Sequence, residues 1–141
     1  MPRAFSETER QDFLAAKHVA VLSVAAPDGR PPSAAPIWYD YTPDGVIRIS
    51  TGANSRKARL IEAAGRVTLT VQREEPPYQY VIVEGTVVAS QKPAPRQARE
   101  ELAIRYLGTD GGRAFVDAMD GSDSVLLSIR PDRWITQDYS A

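Results

Sequence analysis

The run Ser55-Arg56-Lys57-Ala58-Arg59 places three cations within about one helical turn, just after the β-rich run Val46-Ile47-Arg48-Ile49-Ser50-Thr51 and the flexible Gly52. At a helix N-terminus the positive end of the dipole repels cations, whereas the free N–H groups attract an anion. A phosphate would resolve that conflict. Guanidinium groups suit its oxygens, Ser55 or Asn54 can cap the helix, and Gly52 lets the backbone come close to a ligand. On a helix Lys57 shares a stripe with Leu60, Ile61 and Ala64, so the lysine is expected on the core side. The competing reading is a solvated helix end whose cations face water or pair with Asp40, Asp44 or Glu62.

Other chemistry is sparse. The absence of cysteine excludes a thiolate nucleophile, a disulfide framework and a cysteine-based zinc site. The single histidine, His18, stands where a helix meets an apolar strand and reads as a satisfied boundary residue, so no serine-histidine triad is expected. Glu74-Glu75 reads as a solvated loop and Glu84 as a strand residue paired with an arginine, which leaves no metal site and no assignable catalytic acid or base. Seventeen Lys+Arg against eighteen Asp+Glu leave a net charge of -1, so the basic face of a nucleic-acid binder is missing and any anion site must be local. The same balance weighs against an oligonucleotide-binding barrel that stacks bases on Trp38, Tyr39 and Tyr41.

The elements that must position these residues follow from pattern. Ser6 and Glu9 form a capping-box signature ahead of a short helix toward His18. Val19 to Val24, Ala34 to Tyr41, Val46 to Thr51, Arg66 to Arg73 and Tyr78 to Ser90 read as strands, with a hairpin at Asp28-Gly29, an edge or bulge at Pro36 and a bend at Gly85. A helix is expected from about Ser55 to Ala64 with Gly65 as its stop, a second from Pro95 to Leu107, and a short one from Arg113 to Met119. Val125 to Ile129 and Arg133 to Asp138 read as a closing pair of strands. One domain over residues 1–141 is expected, mainly β: a small antiparallel barrel with helices at its rim, a β-sandwich being the alternative. Val19 to Val24 and Val81 to Val88 are apolar on both faces, which asks for a cover such as a second subunit. The charged N-terminus and the lack of a long apolar run point to a cytoplasmic, soluble chain with no membrane partner.

Ile49-Ser50-Thr51 followed by Ser55-Arg56-Lys57-Ala58 resembles the flavin-phosphate motif of the pyridoxamine 5'-phosphate oxidase family. Asp28-Gly29-Arg30-Pro31, Pro36-Ile37-Trp38-Tyr39 and Tyr80-Val81-Ile82-Val83-Glu84-Gly85 stand in the family's order. The short chain and the Trp38-Tyr39 pair are most similar to its flavin/deazaflavin-dependent oxidoreductase branch. That resemblance implies a split β-barrel homodimer with coenzyme F420 or FMN at the subunit interface, F420 being favoured. It implies a phosphate held by Ser50, Thr51, Ser55, Arg56 and Lys57, with Arg59 as a further cation for a phosphate or an acidic tail. Trp38 and Tyr39 would lie near the ring, Tyr80, Gln79, Gln72 and Trp134 being weaker candidates. The implied activity is hydride transfer to a small unsaturated or conjugated acceptor, the alternative being a non-catalytic flavin, deazaflavin or haem carrier. Arg130-Pro131-Asp132-Arg133-Trp134 does not match the substrate segment of true pyridoxamine-phosphate oxidases, which disfavours vitamin B6 oxidation.

Overall fold

The computed structural model describes residues 1–120 and 123–140. Among these, seven strands form one sheet: β1 (Ala20–Val24), β2 (Ser33–Ile37), β3 (Asp40–Tyr41), β4 (Ile47–Gly52), β5 (Arg66–Arg73), β6 (Gln79–Gln91) and β7 (Ser124–Asp138). Every pairing is antiparallel and the spatial order is β2-β1-β5-β6-β7-β4-β3. Three helices, α1 (Glu7–Ala15), α2 (Arg56–Ala64) and α3 (Arg96–Ala118), complete the described chain.

β2 and β3 stand at opposite ends of that order, yet only Trp38 and Tyr39 separate them in sequence. A link that short spans at most about 10 Å, so the sheet must curl until its two edges approach each other. The result is a curled antiparallel half-barrel, as the pattern of short strands suggested. Because all seven strands hydrogen-bond within one sheet, the sandwich alternative is excluded for the described residues.

The inner face is apolar because inward residues recur with period two: Ile47 and Ile49 on β4, Leu69 and Val71 on β5, Val81 and Val83 on β6 are all fully buried. The outer face is less covered. Val21, Thr70, Ile82 and Ile135 lie side by side across β1, β5, β6 and β7, with Val21 and Ile135 exposed.

Local signals were obeyed closely. Ser6 Oγ accepts the Glu9 N–H at 3.2 Å while Glu9 Oε1 accepts the Ser6 N–H at 2.8 Å, so the capping box of α1 is complete. Gly65 ends α2 in the left-handed region with φ of 69°, its N–H donating to Ile61 O at 2.8 Å. Pro36 lies on the edge strand β2. Gly85 marks a register shift between β6 and β7, and a Cβ there would sit 2.5 Å from Ile129 Cγ2. Opposite Gly85 stands Pro131, which has no N–H to give the ladder.

Two expectations are corrected. The return strand Ala34 to Tyr41 is broken into β2 and β3 by the corner at Trp38-Tyr39. The closing pair is one bent strand, β7, which the irregularity at Pro131 bends without ending. The two later helices stand as expected on either side of Gly108 within α3, where non-helical backbone (φ 79°, ψ 171°) redirects the second half. Gly112 then backs onto Ile104 so closely that a Cβ would lie 2.6 Å from the Ile104 N. Among the described residues no helix is long and apolar enough to cross a membrane.

Candidate functional site

From Ile37 to Tyr41 burial alternates: Ile37, Tyr39 and Tyr41 enter the core, whereas Trp38 and Asp40 face outward. On β4, Ile49 points inward, which turns Ser50 outward beside Trp38. α3 lies over this outer surface. Arg48 ties it down, donating to Asp40 at 3.0 and 2.5 Å and to Glu101 at 3.0 Å. Ala94, Ala98 and Leu102 pack on Leu126 of β7 and seal one side.

Between the sheet and α3 is a cavity of about 480 Å³, within the range of small-molecule sites. Its apolar walls include Ile37, Trp38, Ala103, Phe115 and Val116, and its polar positions are Ser50, Thr51, Lys57, Arg99, Asp123 and Ser124. Trp38 stacks on Tyr106 with ring centroids 4.9 Å apart, and Phe115 tilts against it at 5.3 Å.

Of the residues singled out from sequence, Trp38, Ser50, Thr51 and Lys57 come together on this cavity. Ser55 is the N-cap of α2, accepting the Ala58 N–H at 3.1 Å and donating to Gly52 O at 2.8 Å. Of the expected stripe Lys57, Leu60, Ile61 and Ala64, Ile61 is buried and Leu60 packs partly buried against the core, and the other buried residue of α2 is Ala58. The helix is turned so that Lys57 sits half-buried at the cavity wall while Ala64 is exposed. Among the described residues Lys57 has no hydrogen bond or ion pair. The acids that could have neutralised this helix start are engaged elsewhere: Asp40 with Arg48, Glu62 with Lys92 at 3.8 Å, and Asp44 with Gln11. Arg56 turns toward Asp28 of the β1–β2 hairpin at 3.8 Å, and its Nη2 is buried without a hydrogen-bond partner. Arg59 bends back to Asn54 O at 2.6 Å and does not line the cavity.

Tyr39 does not lie beside Trp38 in the cavity, because successive residues of an extended link point to opposite faces. Its hydroxyl donates to Leu14 O at 2.6 Å inside the core, where burial pushes its pKa up. Tyr80 is also outside the cavity, opposite Gln72 and Gln137 at the far end of β6 and β7. Gln79 donates to Asp138 at 3.0 Å, and Trp134 packs against Tyr41 beneath Arg10.

His18 is less satisfied than its boundary position suggested. It stacks on Phe13 at 4.6 Å, its Nε2 is buried without a partner, and burial lowers its pKa. No group of three or more His, Cys, Asp or Glu capable of holding a metal occurs among the described residues.

Sequence reasoning missed Arg99, Tyr106, Phe115 and Ser124. Arg99 and Phe115 reach the cavity, and Tyr106 backs its wall by stacking on Trp38, only because α3 folds over the outer sheet face. Ser124 arrives by pairing with Gly52 across β4 and β7. Neither relation leaves a local signal.

Comparison with known proteins agrees with this architecture. A structure named F420 reductase is 25% identical, with TM-score 0.70 over 89% of this chain and 94% of that one. A conserved hypothetical protein from Mycobacterium tuberculosis is 26% identical, with TM-score 0.74 over 96% of this chain and 86% of that one. A FAD-binding protein from Mesorhizobium loti shares the fold at 20% identity, TM-score 0.69 and 98% coverage of both chains. No curated protein matches. The family model described as pyridoxamine 5'-phosphate oxidase matches residues 6–138, nearly the whole chain and every element that builds the cavity, so this chain belongs to the pyridoxamine 5'-phosphate oxidase family.

Proposed function

We propose that the cavity under α3 receives a flavin-type cofactor, coenzyme F420 or FMN, and that the chain is an oxidoreductase acting on a small unsaturated or conjugated acceptor. The observation that carries this reading is Lys57, a cation without a counter-ion among the described residues, on the wall of a largely apolar cavity beside Ser50 and Thr51. The residues fit the group. Lys57, Ser50, Thr51 and the open N–H groups at the start of α2 suit a phosphate, and Arg56, whose Nη2 makes no hydrogen bond among the described residues, adds a donor within the same turn. Trp38, Val116 and Phe115 suit a flat ring.

Bound there in reduced form, such a cofactor supplies a hydride to the acceptor. The protein's part is to anchor the phosphate through Lys57, to shape the ring slot with Trp38, and to exclude water with α3. The 25% identity to a structure named F420 reductase favours the deazaflavin. Arg59, exposed at the rim of α2, is available to an acidic tail. The uncovered outer row of Val21, Ile82 and Ile135 supports a homodimer with the cofactor site at its interface.

Fluorescence titration of the purified protein with FMN and with coenzyme F420 tests the reading. Saturable binding of one cofactor per chain is expected, and binding of neither overturns it. Catalysed oxidation of the reduced cofactor by a panel of conjugated acceptors separates an enzyme from a carrier. Sedimentation should give twice the chain mass, and Ile82→Arg should halve it.

A further inference from the structure

Lys57 is not the only unpaired cation on the cavity. Arg99, in the first turn of α3, lines it from the other helix. Its Nε donates to Ala94 O at 3.3 Å, and the Ala94 N–H donates to Ser124 O at 3.2 Å, so the guanidinium is tethered beside Ser124. Among the described residues no carboxylate pairs with Arg99. By contrast Arg96, in the same turn, is paired with both Glu100 and Asp117. A cation so close to a helix N-terminus is opposed by the helix dipole and gains from an added anion.

Ser124 supplies an independent sign. It lines the same cavity, and its Oγ is buried without a hydrogen-bond partner among the described residues, whereas buried hydroxyls are normally satisfied. The only carboxylate among the cavity's described lining residues, Asp123, already accepts from Asn54 Nδ2 at 3.2 Å. Two cations against one engaged acid leave the pocket electropositive.

We infer that Arg99 and Ser124 form a second oxyanion site, on the α3 side of the cavity, that receives a carboxylate or phosphate carried on a flat apolar body. The guanidinium offers its terminal N–H groups and Ser124 its hydroxyl, while Trp38 and Phe115 cover the apolar part. Two sources can present that oxyanion: an acidic acceptor, which makes the enzyme selective for anionic over neutral substrates, or the cofactor's own phosphate. The site itself stands on the unpaired groups. Only its place in catalysis rests on the cofactor reading.

Calorimetric titration of the empty protein with 2-naphthoate and with 2-naphthylmethanol, the same ring with and without charge, tests the site directly. The parent should favour the acid by about 10-fold or more, the scale of one charge-assisted contact. Arg99→Gln should remove most of that preference and Arg99→Lys should keep part of it. Ser124→Ala should weaken naphthoate several-fold without lowering the melting temperature, and it carries the test alone if Arg99→Gln does not fold. A parent with no preference, or folded variants that keep it in full, overturns the inference.

FMN and riboflavin then identify the source. If Arg99→Gln weakens FMN and spares riboflavin, the oxyanion is the cofactor's phosphate. If it spares both but raises KM for an acidic acceptor and not for its ester, the oxyanion is the substrate's. An Arg99-dependent naphthoate preference in a protein that binds neither FMN nor coenzyme F420 would uphold this site and overturn the cofactor reading.

Discussion

Tyr106 lies flat against Trp38, the ring planes 8° from parallel, and its hydroxyl reaches past the indole to the backbone behind it. There it accepts the Tyr39 N–H at 3.1 Å and faces the carbonyls of His18 at 2.6 Å and Tyr39 at 3.0 Å. One side chain on α3 thus fastens that helix to the corner where the two edges of the sheet approach.

Tyr106→Phe keeps the stack and strands the Tyr39 N–H. A part-buried donor left without its partner costs about 1 to 3 kcal/mol, so urea unfolding should show a lower midpoint at unchanged slope. Tyr106→Leu should lose roughly a further 0.5 to 1.5 kcal/mol with the ring contact. A Tyr106→Phe variant as stable as the parent would mean that the hydroxyl does not anchor α3.

Lys57→Ala should weaken cofactor binding about 10- to 150-fold, the equivalent of one lost charge-assisted contact. The empty protein should not lose stability, since the change removes a cation from a helix N-terminus and adds a good helix former. Arg66→Ala, beyond the helix stop and outside the cavity, serves as the control. Melts and titrations run on the same samples check both statements.

Gly108 holds φ 79° and ψ 171°, a region that only glycine occupies readily. Gly108→Ala meets no neighbouring atom within 4 Å, so its cost is backbone strain alone, about 1 to 3 kcal/mol. Because the kink sets where Phe115 and Val116 sit over the cavity, the same variant should also weaken ligand binding. Thermal unfolding that leaves the midpoint unmoved would contradict this.

Burial lowers the pKa of His18 below its ordinary value of 6.5, with the charge of Arg105 acting in the same direction. The folded state therefore binds a proton less readily than the unfolded chain. His18 thus reduces stability as pH falls below about 6.5, and the loss levels off once pH passes below the depressed folded pKa. Above that window it contributes no pH dependence. Urea midpoints measured from pH 8 to 5 should decline more steeply for the parent than for His18→Phe.

Elements bounded by local chemistry could be read directly from the chain. Ser6 with Glu9, Ser55 with Gly65, and Pro36 at its edge all act within a few residues, and each stands where the pattern put it. Lys57, Ser50 and Thr51 can be gathered from a strand end and a helix start, whereas Trp38 joins them only through the family resemblance. Tyr39 could not be separated from Trp38 until the link between β2 and β3 proved to be extended, with strictly alternating burial. The rotation of α2 that takes Lys57 off the core stripe depends on which part of the barrel it rests against. Arg99, Tyr106 and Ser124 depend on α3 crossing a sheet face assembled from distant segments, and no window of sequence contains that crossing.

β7 is the last strand in sequence, yet it occupies an interior place in the sheet, hydrogen-bonded to β6 along one side and to β4 along the other. During synthesis, β1, β2, β5 and β6 can pair as soon as they emerge, but the β3–β4 pair has no neighbour on the β4 flank until residues 124–138 follow. Until then the nascent chain presents two open edges, one of them the 13-residue β6, to any other strand in reach. The half-barrel therefore closes from its middle, only once residues 124–138 have been made, and the interval before β7 docks leaves these edges open to misassembly.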